Sequence, residues 1–274
     1  MDYLLLLADR SVLAVALLLL LGQLLTHEIG YRIGAAENEP APGQREHVGV
    51  VVTGMLGLLA FVLALTLSYS TARFSERRQS TIVEANAIGT AWLRAKAIGS
   101  PQAIEIAGLL ENYLDVRQGF VQSGREPQVL AKANDETSAL QQAIWTRVTA
   151  IVRERPDAIS GALMSAVNET FDASTSERFA MGMQLPVQIF WLLLGVMLLS
   201  MAALDYQFGL KRRPVRIFVG ILTVVWTAVI ISILDLAAPR VGNFRTSIAV
   251  YEWTRQGFQS SGSANPAPAV SSQP

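Results

Sequence analysis

Ser80 to Lys96 reads S-T-I-V-E-A-N-A-I-G-T-A-W-L-R-A-K. A carboxylate (Glu84), an amide (Asn86) and a guanidinium (Arg94) sit there among alanines and isoleucines. Rings of carboxylate or amide side chains select ions beside a pore. The same carboxylate can instead be buried against an arginine from elsewhere in the chain. At helical spacing, Arg77, Thr81 and Glu84 share one face, while Gln79, Asn86 and Thr90 share another. Ile82, Ala85, Gly89 and Trp92 make an apolar stripe. The pattern leaves both roles for Glu84 open: an ion pair inside a bundle, or one wall of a water-filled vestibule.

A second pattern lies upstream. Thr53, Gly57, Ala60, Ala64 and Ser68 recur every three or four residues on one narrow face of a long apolar run, with Leu58, Phe61 and Leu65 at its edge. Small side chains at this spacing serve close packing of membrane helices. Facing a central axis, they would line a pore, and the apolar edge would gate it by dewetting. Glu28 and Arg32 are one turn apart in the favourable order for a local ion pair, and Asp235 with Arg240 reads as an interfacial pair. His27-Glu28 lacks the second histidine of a zinc helix, so no metal site is expected. Lys211, Arg212 and Arg213 suit contact with anionic lipid headgroups. There is no nucleophile elbow, phosphate loop or G-x-G-x-x-G, and with 0 cysteines there is no thiolate chemistry. Neither an enzyme nor a cofactor is expected.

These residues need membrane helices to hold them. The chain has 274 residues, 51% hydrophobic and only 16% charged, against roughly 25% charged in soluble domains. Lys+Arg and Asp+Glu are 22 each, which leaves no basic field for nucleic acid. Four runs are long enough to cross a hydrocarbon core: 12–29, 48–70, 187–204 and 215–236. The first could begin earlier, near Leu4. Trp226 is mid-span and needs a buried partner or a packing role. Residues 71–185 show helical periodicity throughout, with starts at Ser100-Pro101, Pro127 and Pro156-Asp157. The expected fold is therefore all-α, a polytopic membrane protein with four spans. Its divisions are a first span pair (1–70), a helical extramembrane domain (71–185), a second span pair with its end segment (186–247), and a polar tail (248–274) disordered toward its end. An even span number puts both termini and the insert on one side. Lys211, Arg212, Arg213 and Arg216 on a short loop favour that loop in the cytoplasm, and hence a periplasmic insert.

The run Arg73 to Arg94, with V-E-A-N-A-I-G-T-A-W-L-R at its heart, resembles the signature of the bestrophin-like family of bacterial membrane proteins. Glu28-Ile29-Gly30-Tyr31-Arg32-Ile33-Gly34, then Asn168-Glu169-x-x-Asp172 with Arg178, agree with it. Leu234-Asp235-Leu236 with Pro239-Arg240 resembles the family's L-D-L-D-x-P-R ending, with Ala237 in place of the second aspartate. The resemblance implies a bacterial inner-membrane location and kinship with bestrophins, pentameric ion channels whose second span lines the symmetry axis. It thus implies a homo-oligomer. In bestrophins the helical part is cytosolic, opposite to the loop-charge argument. A non-conducting scaffold or receptor, its helical domain binding a partner, is the other function the sequence allows.

Overall fold

The computed structural model describes residues 12–183, 185–212, 215–240 and 243–263. Among these, every element is a helix: α1 (Val12–Ala36), α2 (Gln44–Ile98), α3 (Pro101–Gln122), α4 (Pro127–Glu154), α5 (Ala158–Gly182), α6 (Val187–Leu210), α7 (Arg216–Ala237) and α8 (Ala249–Ser263). Local chemistry sets several of the starts. Ser100 Oγ accepts from the Ala103 N–H at 3.3 Å, and Pro101 follows where an N–H is not needed. Asp157 takes the N–H groups of Ile159 and Ser160 at 3.0 and 2.9 Å, capping α5.

The chain divides into two compact units. The first comprises Met1–Phe74 and Met183–Phe244; the second comprises Ser75–Gly182 and Arg245–Pro274. Helix α2 contributes to both.

The first unit contains α1, the first part of α2, α6 and α7. Four helices are long and apolar enough to cross a membrane, within Leu13–Ala36, Gln44–Ile98, Ala158–Leu210 and Arg216–Ala237. Only 17 to 28% of each apolar window is buried inside the chain, so most of that surface must meet lipid or another chain. The buried remainder includes Leu19, Leu59, Leu63, Leu193, Met197, Ile230 and Ile233. Helices α1 and α6 approach almost backbone to backbone. A Cβ on Gly30 would overlap the Ala202 carbonyl, one on Gly34 the Tyr206 carbonyl, and one on Gly209 the Tyr31 carbonyl. Gly30 and Gly34 have the spacing of small residues that let membrane helices touch. The third span ends later than its apolar run suggests. Helix α6 continues past Leu204 to Leu210, carrying Asp205 and Tyr206 on its packed face and leaving only a short connection to α7.

The second unit is a helical bundle around Ile88, Trp92, Ile106, Leu110, Tyr113, Leu114, Ile144, Val148 and Leu163. The residues expected to form a polar tail belong partly to it. Residues 249–263 fold as α8, because Tyr251 and Phe258 supply an apolar face four turns' worth of polar residues had masked. Phe258 stacks on Trp92 at 4.5 Å between ring centroids, and Tyr251 is fully buried. Residues 264–274 lie outside the described residues.

Candidate functional site

The uncovered face of α2 is the first candidate. Val52, Leu59, Leu63, Thr66 and Ser70 form its buried seam. Thr53, Gly57, Ala60, Phe61, Ala64 and Ser68 are all exposed on the remaining surface, as are Leu58 and Leu65. A Cβ on Gly54 or Gly57 would meet nothing within 4 Å. The small face therefore does not pack against this chain's own described helices. Thr53 donates its hydroxyl to the Gly49 carbonyl at 2.9 Å, which satisfies it locally.

The second candidate is the charged cluster on the rest of α2. Glu84 is 0% exposed. Its Oε1 accepts from Arg117 Nε at 2.5 Å, and its Oε2 accepts from the Tyr251 hydroxyl at 2.6 Å. Arg117 Nη2 also donates to Glu177 Oε2 at 2.9 Å, and the guanidinium lies 4.5 Å above the Phe120 ring. Four helices, α2, α3, α5 and α8, meet in this network. The buried seam of α2 runs through Arg77, Thr81, Glu84, Ile88, Ala91 and Ala95, at alternating steps of four and three. Of the two polar faces, the one with Arg77, Thr81 and Glu84 points inward and the one with Gln79, Asn86 and Thr90 is exposed; of the apolar stripe, Ala85 and Trp92 are buried, Gly89 is half-buried and Ile82 is exposed. Partners from other helices explain which polar face is buried: Arg117 and Tyr251 make burial of Glu84 tolerable. Burial alone would lower Arg117; the Glu84 and Glu177 carboxylates outweigh it and hold the guanidinium above its ordinary value. Burial, then the Glu84 charge, pushes Tyr113 up to about 12. Tyr251 is raised by burial first and by the Glu84 and Glu177 charges next. Asn86 and Arg94 do not join the cluster. Asn86 is exposed, and Arg94 donates to the Ala162 carbonyl at 2.6 Å.

The remaining expected residues are scattered. Glu28 accepts from Arg32 Nε at 2.6 Å on the surface. Asp235 is buried and accepts the backbone N–H of Asn243 at 2.8 Å, while Arg240 is half-buried. Lys211 and Arg212 are exposed beyond α6, with Arg212 at φ 51° donating to Asn38 Oδ1 at 3.2 Å. Arg213 lies outside the described residues. Trp226 Nε1 has no hydrogen-bond partner among the described residues.

One cluster escaped the sequence reading altogether. The buried His27 imidazole meets the buried Asp205 carboxylate in the first unit, joined by Thr223, with Gln23 and Thr227 one turn further along. Asp205 falls one residue beyond the expected span 187–204, because the helix runs on to Leu210. The signal was present on α1: Gln23, His27, Gly30 and Gly34 fall on one helical face.

Comparison with protein families matches the Bestrophin-like domain to residues 14–251. The chain belongs to the bestrophin-like family. A solved structure described as "Crystal structure of a membrane protein P143A" shares the fold, with a TM-score of 0.64 at 14% sequence identity. That likeness covers 88% of this chain and 97% of the other. Comparison with curated proteins returned no match.

Proposed function

We propose that this membrane protein is the protomer of an oligomeric, bestrophin-like ion pore, with the uncovered face of α2 lining the axis. The observation that carries the reading is that Thr53, Gly57, Ala60, Ala64 and Ser68 are exposed while the opposite face of the same helix is packed. Pure lipid contact would favour large apolar side chains; a row of small and hydroxylated ones suits a narrow, partly hydrated passage. Phe61, beside that row, supplies the apolar constriction. Family kinship supports a ring of five. Lys211, Arg212 and Arg213 would contact anionic headgroups, and their loop charge supports a bacterial inner-membrane topology with termini and helical unit in the periplasm. A reporter fused to the C-terminus decides sidedness: activity only in a periplasm-dependent reporter is expected, and cytoplasmic activity would reverse the assignment. The pore itself is tested by measuring particle mass and ion flux of purified protein in liposomes. A multimer that conducts is expected; a monomer indistinguishable from empty liposomes would end the proposal.

A second reading, a non-conducting scaffold or receptor, draws on a groove of about 390 Å³ on the helical unit, lined by Gln142, Trp145, Asn168 and Phe171 among others. Trp253, 67% exposed on α8, is a further contact residue for a partner. Pull-down of one stoichiometric protein, lost on Trp145→Ala, would favour it.

A further inference from the structure

His27 is 5% exposed and Asp205 6%. The Asp205 carboxylate meets His27 Nδ1, and His27 Nε2 lies 3.0 Å from Thr223 Oγ1. The Thr223 hydroxyl donates to the Val219 carbonyl at 2.9 Å. A hydroxyl has one proton to give, so Thr223 accepts from Nε2. A carboxylate only accepts, so Nδ1 is a donor as well. With the Thr223 hydroxyl on Val219, a ring protonated on both nitrogens satisfies both contacts, held between α6 and α7 by α1.

Both residues line an open cavity of about 320 Å³, whose wall also includes Glu28 and Tyr31 from α1 and Arg216 and Gly220 from α7. Those are the charged and titratable groups that face the imidazole across the cavity. Glu28 is paired with Arg32, and Arg216 is exposed at the rim. One turn further along, Gln23 Nε2 donates to Thr227 Oγ1 at 2.7 Å. Gln23 Oε1, fully buried, has no partner among the described residues. A buried carbonyl with no protein donor is where an ordered water binds.

We propose that His27 is a reversible proton-binding site, charged through Asp205 and served by water in the cleft between α1 and α7. When the proton leaves Nε2 for cavity water, that nitrogen becomes an acceptor. The Thr223 hydroxyl then turns from the Val219 carbonyl to Nε2, and the imidazole keeps Nδ1–H on Asp205. Proton occupancy is thereby coupled to a hydrogen bond inside α7 and to the charge that joins three membrane helices. Nothing in this requires the chain to conduct ions.

The chain has 2 histidines and 0 cysteines, which makes the test clean. Full-length protein carrying His47→Gln, labelled with [¹⁵N]histidine and placed in phosphatidylcholine bilayers, gives one imidazole in solid-state NMR. Two protonated ring nitrogens are expected at the acid end of a pH series, giving way to one as the pH is raised. Asp205→Asn and the milder Thr223→Val should each show one protonated nitrogen under conditions where the parent shows two. Gly220→Cys should react with a water-soluble thiol reagent. A ring with one protonated nitrogen in the parent at every pH, two retained in both variants, or an unreactive Gly220→Cys would overturn the proposal. Thr223→Val carries the test where Asp205→Asn does not fold.

Discussion

Arg117 gives one guanidinium to two carboxylates, Glu84 and Glu177, in a place with 1% exposure. Removing it leaves buried negative charge without its partner, which costs about 3–5 kcal/mol. Arg117→Ala should therefore lower the thermal midpoint sharply in a calorimetric or dichroism melt, whereas Tyr251→Phe, which removes one hydrogen bond to Glu84, should cost about 1–2 kcal/mol. The raised tyrosines set an alkaline limit. Below pH 10 Tyr113 is protonated in both folded and unfolded chains. Between 10 and about 12 the unfolded chain loses the proton while the folded one keeps it. Stability is thus complete below pH 10 and declines as pH rises toward 12, by on the order of 2–3 kcal/mol. Tyr113→Phe should flatten that part of the stability-against-pH curve; an unchanged slope would show that the phenol is not enclosed.

At the scale of elements, two glycines on membrane helices answer to opposite demands. Gly30 lies against the Ala202 carbonyl, and Gly57 faces open space. Gly30→Ala should cost about 1–3 kcal/mol as α1 and α6 are forced apart, while Gly57→Ala should leave folding stability unchanged or raise it by up to about 1 kcal/mol. Denaturation in mild detergent compares them directly. The helices themselves could be read from composition and periodicity, because apolar runs and caps such as Ser100-Pro101 are local signals. Which face of α2 turns inward could not. The pattern left Glu84 either paired with an arginine inside a bundle or walling a vestibule, and Arg117, 33 residues away, with Tyr251, 167 away, supplies the buried pairing. Asp205 failed for the same reason: its partner His27 is 178 residues distant, and a lone aspartate after an apolar run reads as the end of a span. Helix α8 was hidden because its core contacts are few, Tyr251, Phe258 and the half-buried Val250 among polar neighbours.

On the scale of the whole molecule, the described chain leaves much apolar surface uncovered, with Leu13, Leu21, Ile217 and Phe218 exposed. Lipid accounts for those large residues. It does not account equally well for the small row on α2, which is why the oligomeric pore is the reading we propose. The bestrophin-like membership fits that reading, and the absence of native cysteine allows it to be probed at one position. The most direct measurement is ion flux from liposomes containing Gly57→Cys protein, before and after a water-soluble thiol reagent. The account expects flux above empty liposomes, reduced by the reagent in Gly57→Cys and unaffected in the cysteine-free parent. Flux that never exceeds the empty-liposome level, or a Gly57→Cys flux indifferent to the reagent, would contradict it.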